Sequence, residues 1–437
     1  MPFFDTIVAP ITAPGGAVGI VRISGPEAWG IASEAFSNFP AEPKGYRAYR
    51  GTFENGDDGI LLLFEEGKSF TGEESAEFQM HGSSVSLTTL VEELVALGAR
   101  LARPGEFTER AFLNGGMDLT QAEAVNDTVR AATRKQLASA NASRIGSLTE
   151  EISAIETAII SQLAGIEASV DFSEEIGDID PEIAVTALTE CRHKLDMLSI
   201  RGKRGRLVRE GVRIAIIGPP NAGKSSLLNA LLGMQRAIVT PVAGTTRDYV
   251  EESCEISGLN CILIDTAGIR ESEDLVESMG IQRSRAQAAE ADLIWYVVDS
   301  TIGLLNSDEL EIDQYEAPVW LIRNKIDLHE TNPNEPESGL IFPVSATNRD
   351  GLDKLSQSVG NLAMDISGAI PNRRHTGHLQ SAADSLGFAI EGFQMEHPSD
   401  LVVTHMRVAL FELGLISGST ASQDLLDRIF SDFCIGK

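Results

Sequence analysis

Cysteine is scarce in this chain. Only Cys191, Cys254, Cys261 and Cys434 occur in 437 residues, with no CxxC and no His/Cys pairing at metal-ligand spacing. That excludes a disulfide framework or a structural zinc site as the basis of the fold. Long apolar runs are missing too. Nothing approaches the ~20 residues of a membrane-spanning helix, and the opening Met-Pro-Phe-Phe-Asp lacks the basic start and apolar core of a secretion signal. The expectation is a cytoplasmic protein with no membrane partner. Basic residues are outnumbered, 35 against 64 acidic ones, for a net charge of −29. Such a balance opposes general binding to polyanions, which lysine and arginine drive by displacing counterions. Any nucleic-acid contact must therefore use a local patch or a partner protein. One cluster is unusual in so acidic a chain: Arg201, Lys203, Arg204, Arg206, Arg209 and Arg213. It reads either as such a patch or as a solvated linker.

What is present is a chain too long for one core, and ~150 residues per domain gives about three. With 43% apolar and 23% charged residues it is globular in composition. The spacing predicts strands over 6–9, 17–23, 46–53, 60–64 and 76–80, bounded by turn signals, and a helix over 84–97. Residues 1–118 therefore form an α+β domain. From Leu119 the texture becomes helical. Leu148, Ile152, Ile155, Ile159, Leu163, Ile166 and Val170 make one apolar stripe, and Val185, Leu188, Cys191, Leu195 and Leu198 make another on a helix from Pro181 to about Leu198. Residues 211–366 alternate strand and helix in the βαβ manner of a doubly wound sheet. Residues 367–437 return to helices, among them 379–393 and 424–433. The expectation is an α/β nucleotide domain inserted into an all-α domain made of 119–210 and 367–437, with the linkers 201–211 and 366–376 close together.

The nucleotide domain announces its chemistry in order. Gly218-Pro219-Pro220-Asn221-Ala222-Gly223-Lys224-Ser225-Ser226 follows the apolar strand Val212 to Ile217. Its glycines let backbone N–H groups turn toward phosphate oxygens, and the next helix presents its N-terminus to the same charge. Lys224 would reach the β- and γ-phosphates and Ser225 would ligate magnesium. Thr246, in Gly244-Thr245-Thr246-Arg247-Asp248, would complete that shell. Asp265-Thr266-Ala267-Gly268 follows the strand Ile262 to Ile264, where Asp265 can hold the magnesium shell and the Gly268 N–H can meet the γ-phosphate. Asn324-Lys325-Ile326-Asp327 selects the base: Asp327 accepts from the two guanine N–H groups, so GTP is favoured over ATP. Ser345-Ala346 supports the guanine from its other side. One part is missing. Ile269 follows the Asp-Thr-Ala-Gly run, so no Ras-like glutamine is there to orient the attacking water. Glu271, Glu273, Asp274 and Glu277 lie downstream, and position does not choose among them. No residue is plainly an arginine finger, although Arg247 and Arg270 are candidates.

Together with Gly19-Ile20-Val21-Arg22-Ile23-Ser24-Gly25, Phe70-Thr71-Gly72-Glu73, Arg103-Pro104-Gly105-Glu106-Phe107-Thr108, Asp118-Leu119-Thr120-Gln121-Ala122-Glu123-Ala124 and the terminal Cys434-Ile435-Gly436-Lys437, these motifs carry a resemblance. The chain resembles the MnmE (TrmE) family of tRNA-modification GTPases over almost its whole length. The resemblance implies three parts: an N-terminal folate-binding-like α+β domain, a discontinuous helical domain, and an inserted Ras-like P-loop GTPase domain. It implies potassium in place of an arginine finger, with Asn221, Thr240, Val242 and Thr245 as its ligands, and Glu277 as the group that orients water. It implies 5-formyl- or methylene-tetrahydrofolate bound by Arg22, Glu77 and Lys437. Gly116 stands where the family usually has a basic residue, so one folate contact is absent. It also implies a homodimer, and a heterotetrameric complex with the flavoprotein MnmG (GidA) that places a carboxymethylaminomethyl-type group on C5 of the tRNA wobble uridine. Cys434 reads either as a reactive thiol or as the apolar end of the last helix. The rival readings are a ribosome-assembly GTPase of the Era or Der kind and a GTP-dependent scaffold that needs no catalysis.

Overall fold

The computed structural model describes residues 5–54, 56–171, 181–234, 236–237, 251–265, 288–328, 340–364 and 366–437. The chain divides into two compact units, one of residues 1–130, 140–197 and 377–437, the other of 131–139 and 198–376.

The first unit begins with strands β1 (Ile7–Pro10), β2 (Val18–Ser24), β3 (Arg47–Thr52), β4 (Asp58–Phe64), β5 (Ser75–His81) and β6 (Arg100–Leu101). They lie in the order β3-β4-β5-β2-β1-β6. All neighbours are antiparallel except β6, which runs parallel to β1. Alternation made the first five strands legible; β6 is too short to carry a pattern. Inward residues Val21, Ile23, Leu61, Leu63 and Phe78 form a core with helices α1 (Ala28–Ala35) and α2 (Ser84–Ala96). The Ser83 hydroxyl caps α2 by accepting from the Ser86 N–H at 3.0 Å.

Helices α3 (Glu106–Leu113), α4 (Leu119–Arg130), α5 (Arg134–Arg144), α6 (Ser147–Asp171) and α7 (Pro181–Arg209) follow. The α6 stripe is inside: Leu148, Ile152, Ile155, Ile159 and Ile166 are buried. One expectation fails on α7. Residues 201–209 are not a linker but the continuation of that helix. Gly202 and Gly205 share a helix face three residues apart. A Cβ at Gly202 would lie 2.3 Å from Thr376 Oγ1, and one at Gly205 would lie 2.3 Å from Ile370 Cγ2. The glycines are there for close approach, which offsets their low helix propensity. The stretches 202–205 and 370–376 do lie side by side.

The second unit holds β7 (Val212–Ile217), β8 (Arg236–Ala237), β9 (Glu251–Ile256), β10 (Leu259–Asp265), β11 (Leu293–Asp299), β12 (Val319–Asn324) and β13 (Ile341–Pro343). Their order is β13-β12-β11-β7-β10-β9-β8. Five strands are parallel, and β9 and β8 add an antiparallel edge. That edge has a local cause. Ser257 and Gly258 both take positive φ, 49° and 84°, as a tight two-residue hairpin turn requires. Helices α8 (Lys224–Met234), α9 (Asn306–Ile312) and α10 (Leu352–Asn361) belong to the same unit.

Helices α11 (Arg373–Gln394), α12 (Ser399–Ser417) and α13 (Gln423–Ser431) complete the chain. Leu426, Phe430 and Phe433 pack with Leu119 and Ala122 in a small cluster of the first unit. Helix α13 ends at Ser431 and Cys434 is exposed, so the thiol is not the apolar end of that helix. Among the described residues no helix is long and apolar enough to cross a membrane.

Candidate nucleotide-binding site

The parallel strands deliver their carboxyl ends to one edge of the sheet, and the loops there carry the polar groups. After β7 the chain turns through Gly218 at φ 138°, Asn221 at φ 62° and Gly223 at φ 92° before entering α8. A Cβ at Gly218 would lie 2.1 Å from the Val297 carbonyl oxygen, so no other residue fits. Lys224 is buried at the start of α8, and its Nζ donates to the Gly218 and Pro219 carbonyls at 2.7 and 2.8 Å. These bonds hold the ammonium at the loop, where the N-terminus of α8 adds its own positive potential. Ser225 and Ser226 follow and are exposed. Asp265 closes β10, in register with Ile216 near the end of β7. The Ser225 hydroxyl, in the first turn of α8 beside the phosphate loop, is the kind of hard oxygen donor that magnesium takes.

A second layer locks this loop to the base-recognition segment. Asn324, 1% exposed, ends β12. Its Nδ2 donates to the carbonyls of Ala222 and Gly223 at 3.0 and 3.4 Å, and its Oδ1 accepts from the Ala346 N–H at 3.1 Å. One amide thus ties together three segments far apart in sequence. Lys325, at φ 67°, sends Nζ to the Asn221 carbonyl and to Asp299 Oδ2, each at 2.7 Å. Asp327 is exposed, and its Oδ1 accepts from the buried Ser345 hydroxyl at 2.5 Å. The carboxylate is therefore aimed before any base arrives.

Asp299 was not among the residues singled out in the sequence. It ends β11, and its hydrogen bond from Lys325 and those from Thr301 hold its carboxyl at about 2. The signal was available, since it is an acid at the carboxyl end of a central strand, but no motif marks it. Asp299→Asn is expected to slacken Lys325 and the loop it braces, raising the KM for GTP about 10-fold with little change in kcat. Steady-state GTP turnover checks this; an unchanged KM counts against the brace.

Thr240, Val242, Thr245, Thr246, Thr266, Ala267, Gly268 and Glu277 lie outside the described residues, as do Arg247, Ile269, Arg270, Glu271, Glu273 and Asp274. In the first unit, Arg22 and Glu77 face each other across β2 and β5. Both Nε and Nη2 of Arg22 donate to Glu77 Oε1, at 2.9 and 2.6 Å. The guanidinium lies 5.1 Å from the Phe70 ring centre and 5.5 Å from that of Phe107. Gly436 packs on Pro10, whose register partner on β2 is Val21, next to Arg22. The terminal tail that carries the half-buried Lys437 thus reaches the sheet that carries Arg22. The ion pair and the Phe70 and Phe107 rings thus form one polar and aromatic cluster on the sheet.

A phosphate loop after a central parallel strand, a lysine anchored across it, and a base-selecting carboxylate define a P-loop guanine-nucleotide-binding protein that takes magnesium with its nucleotide. Comparison with known proteins narrows this. The family model of the MnmE helical domain matches residues 119–434, and that of the GTP-binding protein TrmE N-terminus matches residues 6–116. The tRNA modification GTPase MnmE of Moorella thermoacetica is 38% identical, covering 99% of this chain and 99% of that relative. The MnmE of Chloroflexus aurantiacus is 40% identical, covering 99% of this chain and 100% of that relative. The chain belongs to the MnmE family of tRNA modification GTPases. A crystal structure of Aquifex aeolicus Era bound to GDP.AlF4- is 29% identical over 40% of this chain and 66% of that one, with a TM-score of 0.28.

Proposed function

We propose that the protein hydrolyses GTP and couples the cycle to modification of tRNA. The observation that carries this is the bridge made by Asn324, which joins the phosphate loop to the Ser345-Ala346 loop in a chain whose family is that of the tRNA modification GTPases. Asn221, Ala222, Gly223, Lys224, Ser225, Ser226, Thr240, Thr245, Thr246, Asp265, Thr266, Ala267 and Gly268 surround the phosphates. Asn324, Lys325, Asp327, Ser345 and Ala346 surround the guanine. Ser225 and Thr246 would hold magnesium, and Glu277 would orient the water that Ile269 cannot. Asn221, Thr240, Val242 and Thr245 would hold potassium, which would supply the positive charge that an arginine finger supplies elsewhere.

In this reading the nucleotide domain spans 211–366 and is carried by helical segments 119–210 and 367–437. Residues 1–118 dimerise and would bind 5-formyl- or methylene-tetrahydrofolate through Arg22, Glu77 and Lys437. The homodimer works in the cytoplasm with MnmG (GidA), in a heterotetrameric complex, to place a carboxymethylaminomethyl-type group on C5 of the wobble uridine. GTP turnover in potassium against sodium tests the core of it. Potassium is expected to raise kcat by 10-fold or more, about 1.4 kcal/mol of transition-state stabilisation, and specific activity is expected to rise with protein concentration as nucleotide domains pair. Equal rates in the two salts would remove the potassium site.

A further inference from the structure

Residues 131–139 belong to the unit that holds the nucleotide site, although the chain on either side of them, 1–130 and 140–197, belongs to the other unit. They begin α5, which runs from Arg134 to Arg144. One helix therefore starts in one unit and ends in the other. Its start is a capping box, Thr133-Arg134-Lys135-Gln136. Thr133 Oγ1 accepts from the Gln136 N–H at 3.2 Å, and Gln136 Oε1 accepts in return from the Thr133 and Ala132 N–H groups at 3.1 and 2.8 Å. The amide nitrogen is left to reach elsewhere. Gln136 Nε2 donates to the Arg209 carbonyl at 3.1 Å. Arg209 closes α7, where the last carbonyls have no partner within their own helix, so this bond satisfies an acceptor that α7 cannot. Lys135 makes a second contact. Its stem runs over the β9–β10 turn, where a Cβ on Gly258 would lie 3.5 to 3.8 Å from the Lys135 Cε, Cδ and Cγ.

We propose that α5 is a further route, beside the chain crossings at 197–198 and 376–377, by which the state of the nucleotide reaches the rest of the molecule, with Gln136 as its positioning residue. The proposal rests on the reading of a GTP cycle. Arg209 stands just before β7, whose far end carries the phosphate loop, and Gly258 stands just before β10, whose far end is Asp265. These two strands are parallel neighbours, with Val212 in register with Cys261. Strand β9 leaves the same turn in the other direction, its Glu251 opposite Ile264 and shortly after Thr246 in the chain. The two contacts of α5 are thus made at the near ends of strands whose far ends carry the nucleotide loops. Rigid strands pass a shift from one end to the other. A helix held at two such points must tilt or let go when they move apart, and its last residues, 140–144, move with it because the backbone bonds of a helix run its whole length.

Gln136→Glu isolates the contact. Glutamate keeps the acceptor that closes the capping box and suits the first turn of a helix, but it sets an oxygen against the Arg209 carbonyl. The helix is expected to persist while its docking is lost. Hydrogen exchange of the α5 amides in the full chain, with GDP and then with a non-hydrolysable GTP analogue, reads the effect. In the parent, protection over 140–144 is expected to differ between the two nucleotides by about 5-fold or more, and in the variant by less than about 2-fold. Coupling is reciprocal, so the ratio of the two dissociation constants should shift by the same factor, whereas a loss of stability alone would leave that ratio where it was. No difference between nucleotides in the parent, or a difference that the variant keeps, overturns the route through α5 and leaves GTP hydrolysis untouched. A parent that binds neither nucleotide overturns the reading of a GTP cycle, and this route with it. If Gln136→Glu melts α5, seen as lost protection with either nucleotide, Lys135→Ala decides, because it leaves the capping box intact: a smaller difference between nucleotides supports the route, and an unchanged one overturns it.

Discussion

Asp327→Asn is expected to weaken GTP binding by about 100-fold or more, measured by displacement of a fluorescent guanine nucleotide at equilibrium. The carboxylate is an acceptor at every lone pair, and the Ser345 hydroxyl already holds Oδ1 at 2.5 Å. Guanine offers two adjacent N–H donors to such a group. An asparagine amide would turn one acceptor into an NH2 donor, setting donor against donor in a site from which water is excluded once the base is bound. The same change should favour xanthosine triphosphate, whose ring carries a carbonyl in place of the exocyclic amine. Specificity should therefore reverse rather than merely decline. If GTP affinity is unchanged, Asp327 does not touch the base. The fold should survive, because Asp327 is exposed and the packing beneath it belongs to Asn324 and Ser345.

How much of this was legible in the sequence depended on whether a residue's partner was near it in the chain. The loop from Gly218 to Ser226 was readable because phosphate binding needs particular residues at particular spacings within a few positions. The strands of the first domain were readable because one buried face imposes alternation. The helix from 201 to 209 was misread because the reason for Gly202 and Gly205 lies at Thr376 and Ile370, far along the chain. Asp299 was missed for the same cause: its importance comes from Lys325, and Lys325 matters because of the Asn221 carbonyl. The Arg103 to Thr108 motif was recognised as a family mark with no physical reason attached. The structure supplies one, since its Glu106 is 1% exposed and ion-paired to Arg100 and Arg110.

That reason leads to the largest expected change in stability. Arg110 is fully buried on α3. It donates to the Asp5 carbonyl and to the carboxylates of Asp5, Glu73 and Glu106 at 2.8 to 3.1 Å. Arg110→Met keeps the apolar stem and removes the charge, leaving three carboxylates facing one another. The expected cost is about 3–5 kcal/mol, as for other buried pairs broken from one side. Hydrogen exchange of the β1, β2 and β5 amides in the full chain reads it without assuming that all domains unfold together. Acid should then separate charge from packing. Burial alone would raise the Glu106 carboxyl, but hydrogen bonds from Arg100, the Arg103 N–H and Arg110 outweigh it and hold the group at about 2, below its ordinary 4.5. Asp5 is lowered too, its hydrogen bonds from Arg100 and Arg110 overcoming the effect of burial. A carboxyl depressed in the fold adds stability above its unfolded value and loses it as pH falls through the folded one. In the parent, protection should therefore weaken from about pH 4.5 toward 2. Glu109 works in the opposite sense, because burial raises its carboxyl, and it should soften the slope without reversing it. In the variant the carboxylates repel only while ionised, so protonating them should relieve the strain. The gap between parent and variant should narrow in acid; a gap that stays constant with pH would mean that Arg110 acts through packing and not through its charge.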